Sequence, residues 1–234
     1  GPAADGRIKP DIGAKGSSVN STIPANDYGL KTGTSMSCPG IAGIMGQLYQ
    51  AYKELNGGAN PNSALMKGVL LNSADDLGNP GPDFIYGWGR INLKRAYETL
   101  LNQQYFYDSL DAGNSKSFSI NVPSGQQQLR VMVYWGDRQG TANASPALVN
   151  DLDMQIDPPS GSNVNPWVLN STPNASSLNA NATRGLDHIN NVEQVTIDNP
   201  SAGTYIIDID GFNVPFGPQD FYVVYEFRND NISL

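Results

Sequence analysis

The stretch that most constrains this chain runs from Lys31 to Leu55. Lys31-Thr32-Gly33-Thr34-Ser35-Met36-Ser37-Cys38-Pro39-Gly40 is a polar turn that leads into a helix. Gly33 can take backbone conformations closed to other residues, and Pro39 falls in the first turn, where its missing N–H does no harm. Beyond it Ile41, Ile44, Met45, Leu48, Tyr52 and Leu55 recur at helical spacing and form one apolar face. Gly40, Gly43 and Gly46 lie three apart and strip a second face of side chains. A glycine costs a helix about 1 kcal/mol against alanine. Three of them on one face predict a neighbour that packs very close to it.

Ser35 stands where backbone N–H groups are unpaired and the helix dipole favours negative charge. That position suits a nucleophile whose attack creates an oxyanion. It equally suits a plain helix cap, the common task of a serine there. The strand-to-helix elbow written G-x-S-x-G is a poor match, because Gly33-Thr34-Ser35-Met36-Ser37 lacks the second glycine.

Charge is spread unevenly over the 234 residues. Residues 1–103 carry nine Lys and Arg against eight Asp and Glu, and residues 104–234 carry five against fourteen, giving the net −8. The acidic second half argues against nucleic acid or an anionic membrane surface as partner. No apolar run approaches the roughly 18 residues of a membrane span. One cysteine allows no internal disulfide, and Cys38 reads as a small packed residue rather than a second nucleophile. No internal repeat is present.

Along the chain, residues 7–13 predict a short strand and 14–32 a Gly, Ser and Asn rich loop. The helix from Ser35 ends near Leu55, with Asn56-Gly57-Gly58 as its stop. Asn60-Pro61 predicts the start of a second helix that runs to about Ala74, and Ile91 to Leu101 a third. Beyond Gln103 the period changes to two. Ser117–Val122, Leu129–Trp135, Asp151–Ile156, Gln194–Ile197, Gly203–Ile209 and Phe221–Phe227 alternate in the manner of strands. Short strands at even spacing predict an antiparallel sandwich or jelly roll. Residues 160–190 predict an extended surface loop.

Gly33-Thr34-Ser35-Met36-Ser37-Cys38-Pro39 closely resembles the nucleophile motif of subtilisin-like serine proteases (subtilases, peptidase family S8), G-T-S-M-[AS]-x-P. Gly40 departs from the histidine usual after that proline, which is not a triad member. Gly1-Pro2 with Asp5-Gly6-Arg7-Ile8-Lys9-Pro10-Asp11-Ile12, and Tyr86-Gly87-Trp88-Gly89-Arg90-Ile91-Asn92, resemble two further segments of that family in the same order. Val133–Asp137, Leu148–Asp153, Asn190–Glu193, Gly203-Thr204-Tyr205 and Asn213–Gln219 are similar to the C-terminal β-barrel of bacterial oxidatively stable alkaline proteases.

The resemblance implies an α/β fold in residues 1–103, the C-terminal part of a doubly wound parallel-sheet catalytic domain. It implies an all-β sandwich or jelly roll in residues 104–234. It also implies a secreted, extracellular serine endopeptidase acting on protein or peptide substrates, with Ser35 as nucleophile. In family order Asp and His precede Ser, so both partners are expected in an upstream half of the catalytic domain, and the fragment alone is expected to be inactive. The one histidine, His188, lies on the wrong side of Ser35 and reads as exposed or loop-anchoring.

Asp137, Asp151, Asp153, Asn191 and Glu193 offer oxygens from several loops. Turn chemistry and a solvated acidic face account for them as well, and no EF-hand pattern is present. The resemblance implies structural Ca²⁺ on these five. No other cofactor is expected. Asn20, Asn143, Asn170, Asn174, Asn181 and Asn231 open Asn-x-Ser/Thr sequons. The reading from a different class is a β-sandwich binding module for carbohydrate or protein that carries a vestigial protease remnant.

Overall fold

In the computed structural model, which describes residues 1–229, the stretch expected to be a loop contains a hairpin. Strand β1 (Val19–Ile23) pairs with β2 (Asp27–Lys31), and Ala25 and Asn26 take positive φ of 70° and 56° at the tip. Paired positive-φ residues give the turn a twist that matches the strands it joins. The sequon at Asn231 lies outside the described residues. Helix α1 (Thr34–Leu55) follows as the periodicity predicts. It stops where the Asn56 side-chain amide donates to the Tyr52 carbonyl at 2.8 Å and Gly57 turns at φ 61°.

Helix α2 (Ser63–Asn72) starts later than Asn60-Pro61 predicts, because Asn62 is the cap: its side chain accepts the Ala64 N–H at 2.8 Å. Asn92 caps α3 (Leu93–Leu101) in the same way, on the Arg95 N–H at 3.1 Å. The strand predicted over residues 7–13 does not form. Pro10 has no N–H to offer a ladder, and Gly13 alone makes an isolated parallel bridge, to Arg90. Between α2 and α3, Asp83 accepts the N–H groups of Ile85 and Tyr86 at 2.8 and 2.6 Å. Gly87 and Gly89 take φ of 63° and 116°. A Cβ there would lie 2.0 Å from the Pro10 carbonyl oxygen and 2.2 Å from that of Asp75, so this turn closes only on glycine.

The second half is built from β3 (Tyr105–Leu110), β4 (Ser115–Val122), β5 (Gln128–Trp135), β6 (Asp151–Asp157), β7 (Trp167–Val168), a one-turn α4 (Ala175–Leu178), β8 (Thr183–Arg184), β9 (Val192–Asp198), β10 (Gly203–Asn213) and β11 (Gln219–Arg228). All six predicted strands are present, and β3 is an addition. A three-stranded sheet, β4-β10-β6, faces a four-stranded one, β3-β11-β5-β9, with every neighbouring pair antiparallel. The core between them includes Ile120, Val131, Val133, Trp135, Leu152, Met154, Val195, Ile207, Phe221 and Val223. These come from alternate positions of both sheets, as in a sandwich. The expected 160–190 loop is instead stitched by β7 and β8. There the Arg184 guanidinium lies 3.4 Å from the Trp167 ring centroid, and Trp167 Nε1 donates to Thr196 Oγ1 at 3.0 Å.

The doubly wound parallel sheet expected for residues 1–103 is not found among the described residues. The three long helices instead form a layer on the outer face of the four-stranded sheet. Leu65, Met66, Val69 and Leu70 of α2 pack with Leu48 of α1, Ala96 and Leu100 of α3, and Val224 of β11. Leu71 joins Ile8, Phe84, Trp88, Met132 and Tyr134. Polar ties complete this contact. Arg130 and Arg228 both donate to the Ala74 carbonyl, at 2.9 and 2.8 Å, and Arg228 also pairs with buried Glu226.

Helix α1 is the exception to this burial. Only Leu48 is buried in it, and no atom lies within 4 Å of a Cβ added at Gly40, Gly43 or Gly46. Cys38, expected to be packed, is exposed on the same uncovered helix. At Gly68 of α2 an added Cβ would sit 3.3 Å from Tyr134 Cβ and 3.4 Å from Val224 Cγ2. The two glycines should therefore respond oppositely in urea denaturation of the chain. Gly43→Ala is expected to stabilise it by up to about 1 kcal/mol, whereas Gly68→Leu should cost about 1–3 kcal/mol by overpacking.

Candidate functional site

Ser35 lies in the first turn of α1, exposed, after Gly33 at φ 155°. Residues this early in a helix have no carbonyl four positions back, so the Ser35 N–H is free to serve an incoming oxygen. The neighbouring Ser37 hydroxyl is used locally, donating to the Thr34 carbonyl at 3.1 Å. Among the described residues the first turn of α1 has no side-chain cap hydrogen bond, so Ser35 is not used as a cap. Nor does His188 serve it. His188 Nδ1 lies 2.9 Å from Asp151 Oδ2 and 3.6 Å from Asp153 Oδ1, and its ring stacks on Phe212 with centroids 4.2 Å apart.

Those contacts make a second centre. Asp151 and Asp153 stand two apart on β6 and so project from one face of the strand. His188 is brought to them by the turn before β9. Asp187 accepts the N–H groups of Ile189 and Asn190 at 2.9 and 3.0 Å and the Asn190 side-chain amide at 2.7 Å. Asn190 in turn accepts the Ile8 N–H at 2.8 Å, tying the turn to the N-terminal segment. Glu193 reaches in from β9. One of its oxygens accepts the Met154 N–H at 2.6 Å, and the other is buried without a hydrogen-bond partner.

Burial dominates the electrostatics of this centre. It pushes the Asp151 carboxyl up to about 6 against the opposing attraction of His188, and pushes Asp153 and Asp187 up as well. Fully enclosed Glu193 is driven well above the usual carboxylate range, by burial first and then by the charges of Asp187, Asp153 and Asp151.

The five residues expected to hold calcium thus separate. Asp137 spends both oxygens on backbone N–H groups: Arg138 at 2.8 Å, Asn150 at 2.9 Å and Val149 at 2.8 Å. The Asn191 amide donates to the Trp135 carbonyl at 2.6 Å. Asp151 and Asp153 do come together, within 4.8 Å of His188 Nδ1, whereas Glu193 stands outside that trio and accepts the Met154 N–H of the same strand. The remaining converging donor is an imidazole nitrogen, which departs from the oxygen-only set that calcium takes. Sequence reasoning left His188 out because its partners lie on a distant strand, 35 and 37 residues upstream, with no motif to join them.

Comparison with known proteins bears on the first half and the second separately. Residues 1–89 match the Subtilase family, and residues 114–211 match the Bacterial pre-peptidase C-terminal domain. Over 103 residues, 41% of its length, the chain is 44% identical to the C5a peptidase of Streptococcus pyogenes. It is 33% identical over 104 residues to the Extracellular serine protease of Serratia marcescens. A match over 96% of the chain, at 24% identity, is the Dictyostelium discoideum protein named Serine protease/ABC transporter B family protein tagA. The chain spans only 9% to 15% of the length of these three relatives. Among solved structures, a lanthipeptide protease is 33% identical over 32% of the chain and 22% of its own, with a TM-score of 0.30. No helix among the described residues is long and apolar enough to cross a membrane.

The turn that carries His188 can be tested apart from the subtilase segment. Asp187→Ala removes the acceptor for two backbone N–H groups and one amide, and should lower stability by about 1–3 kcal/mol. Asp187→Asn keeps an acceptor and removes a buried charge, so a clearly smaller loss is expected in the same urea titration.

Proposed function

We infer that this chain is the C-terminal portion of a secreted subtilisin-like serine endopeptidase, with Ser35 as its nucleophile. The observation that carries the reading is the exposed serine in the first turn of α1, within a segment that matches the Subtilase family. Proteases named among the relatives support peptide or protein as substrate. In the proposed reaction Ser35 Oγ attacks the scissile carbonyl carbon and its proton passes to a histidine. The oxyanion is held in part by the Ser35 N–H at the positive end of α1.

A serine hydroxyl is a very weak acid, and attack needs a positioned base. The one histidine of the sequence is engaged with Asp151. The base and the aspartate that orients it are therefore assigned to an upstream half of the catalytic domain. The open glycine face of α1 fits that half: a partner sheet laid on it would find no Cβ in its way. A divalent cation at the acidic centre belongs to the same proposal. Calcium is the ion implied by resemblance, and the donor set is taken up below.

Without its base the chain should hydrolyse peptides at a negligible rate. Loss of triad function costs on the order of 10⁶ in kcat in subtilisin, the prototype of this family. The check is to treat the purified chain with a fluorophosphonate probe and a chromogenic peptide, alone and with the separately expressed segment that precedes Gly1. Labelling of Ser35 only after complementation is expected. Labelling by the chain alone at a rate typical of serine proteases would overturn the upstream assignment. No labelling in either case would favour the binding-module reading.

A further inference from the structure

The acidic centre on β6 holds more buried negative charge than its surroundings satisfy. Asp151 is 6% exposed, Asp153 8% and Glu193 0%. Each has one side-chain oxygen shut away from solvent with no hydrogen-bond partner: Asp151 Oδ1, Asp153 Oδ1 and Glu193 Oε1. Leaving a buried acceptor unmet costs about 1–3 kcal/mol, and more when it is charged. Unmet oxygens on two aspartates that share one strand face, with a third on Glu193, which bonds the same strand at Met154, call for a cation.

The imidazole of His188 faces these carboxylates, and its side chain, 40% exposed, opens the centre to solvent. Its Nδ1 and one oxygen from each of Asp151 and Asp153 all lie within 4.8 Å of one another. Two of these separations, 2.9 and 3.6 Å, straddle the roughly 3.3 Å between ligands on a tetrahedral ion with bonds near 2.0–2.1 Å. The ring orientation is set by stacking on Phe212 and by the turn anchored at Asp187.

We propose that Asp151, Asp153 and His188 form a site for one divalent transition-metal ion of the zinc class, with Glu193 as the supporting carboxylate. Two carboxylates and an imidazole suit Zn²⁺, Mn²⁺, Co²⁺ or Ni²⁺, whereas Ca²⁺ takes six to eight oxygens. On loading, the ion takes the place between His188 Nδ1 and the carboxylate of Asp151 and offsets the charge of the two aspartates. The site joins β6 to the turn before β9, so the ion would clamp the two sheets of the sandwich at one end. The proposal does not depend on the protease reading, because every ligand lies in the β-rich half.

The test uses the whole chain in a Cys38→Ser background, which removes the exposed thiol as a competing ligand. After chelator treatment it is titrated separately with Zn²⁺, Co²⁺ and Ca²⁺ by calorimetry and thermal melting. One Zn²⁺ per chain is expected, with a rise in Tm, and the Co²⁺ adduct should show the visible absorption of a low-coordinate N/O site. His188→Gln and Asp153→Asn should each weaken Zn²⁺ by at least about tenfold. Asp137→Asn, outside the centre, should leave the affinity unchanged. Three results would each overturn the proposal: tighter binding of Ca²⁺ than Zn²⁺, undiminished Zn²⁺ affinity in His188→Gln, or no binding of any of the three ions.

Discussion

The contact on which this structure depends is that between α2 and the outer face of the four-stranded sheet. Seven of the ten residues of α2 are buried, including Leu65, Met66, Val69, Leu70 and Leu71. Burying a large aliphatic side chain is worth about 1.5–3 kcal/mol, so this short helix supplies much of the driving force that joins the two halves. Gly68 permits the close approach, since a side chain there would press on Tyr134 and Val224. Its polar end is provided for in part: buried Asn72 accepts from Gln194 at 3.0 Å while its amide nitrogen has no partner among the described residues, and the Ala74 carbonyl takes two arginines. Residues 1–103 and 104–234 therefore share apolar surface rather than standing as separate bodies.

Much of this organisation could be read from the residues. Period-two alternation located β4, β5, β6, β9, β10 and β11 because each buries one face in the sandwich, and burial writes itself into the pattern. α1 was legible for the same reason at period 3.6. β3 was missed because Tyr105-Phe106-Tyr107 offers no alternation. The β1–β2 hairpin was missed because it is exposed, so its Gly, Ser and Asn composition carries no core signal. The α2 cap moved from Asn60 to Asn62 because two asparagines flank Pro61, and sequence does not say which of them reaches an N–H.

The two candidate centres differ in the same way. The role proposed for Ser35 was legible because it rests on consecutive residues: a glycine before the helix, the serine, and a proline in the first turn. The acidic centre was legible only in part. Asp151 and Asp153 share a strand face by simple alternation. His188, by contrast, arrives through a turn defined by Asp187 and Asn190 and anchored on Ile8, some 180 residues away in sequence. Long-range placement of that kind leaves no spacing for a motif to record. The separation of Asp137 follows from a similar competition, since three backbone N–H groups claim its oxygens first.

One bond described above reaches beyond the chemistry of its centre. β6 is the last strand of its sheet, hydrogen-bonded to β10 on one side only. Its other rim is plugged: Glu193 takes the Met154 N–H, and Val164 exchanges backbone bonds with Ile156 at 3.0 and 2.8 Å. An open rim recruits strands from other molecules, the usual first step to ordered aggregates. A buried carboxylate that occupies a main-chain donor denies any such strand its register at that point. The Glu193–Met154 bond thus closes one main-chain donor on a rim that carries no neighbouring strand of the sheet.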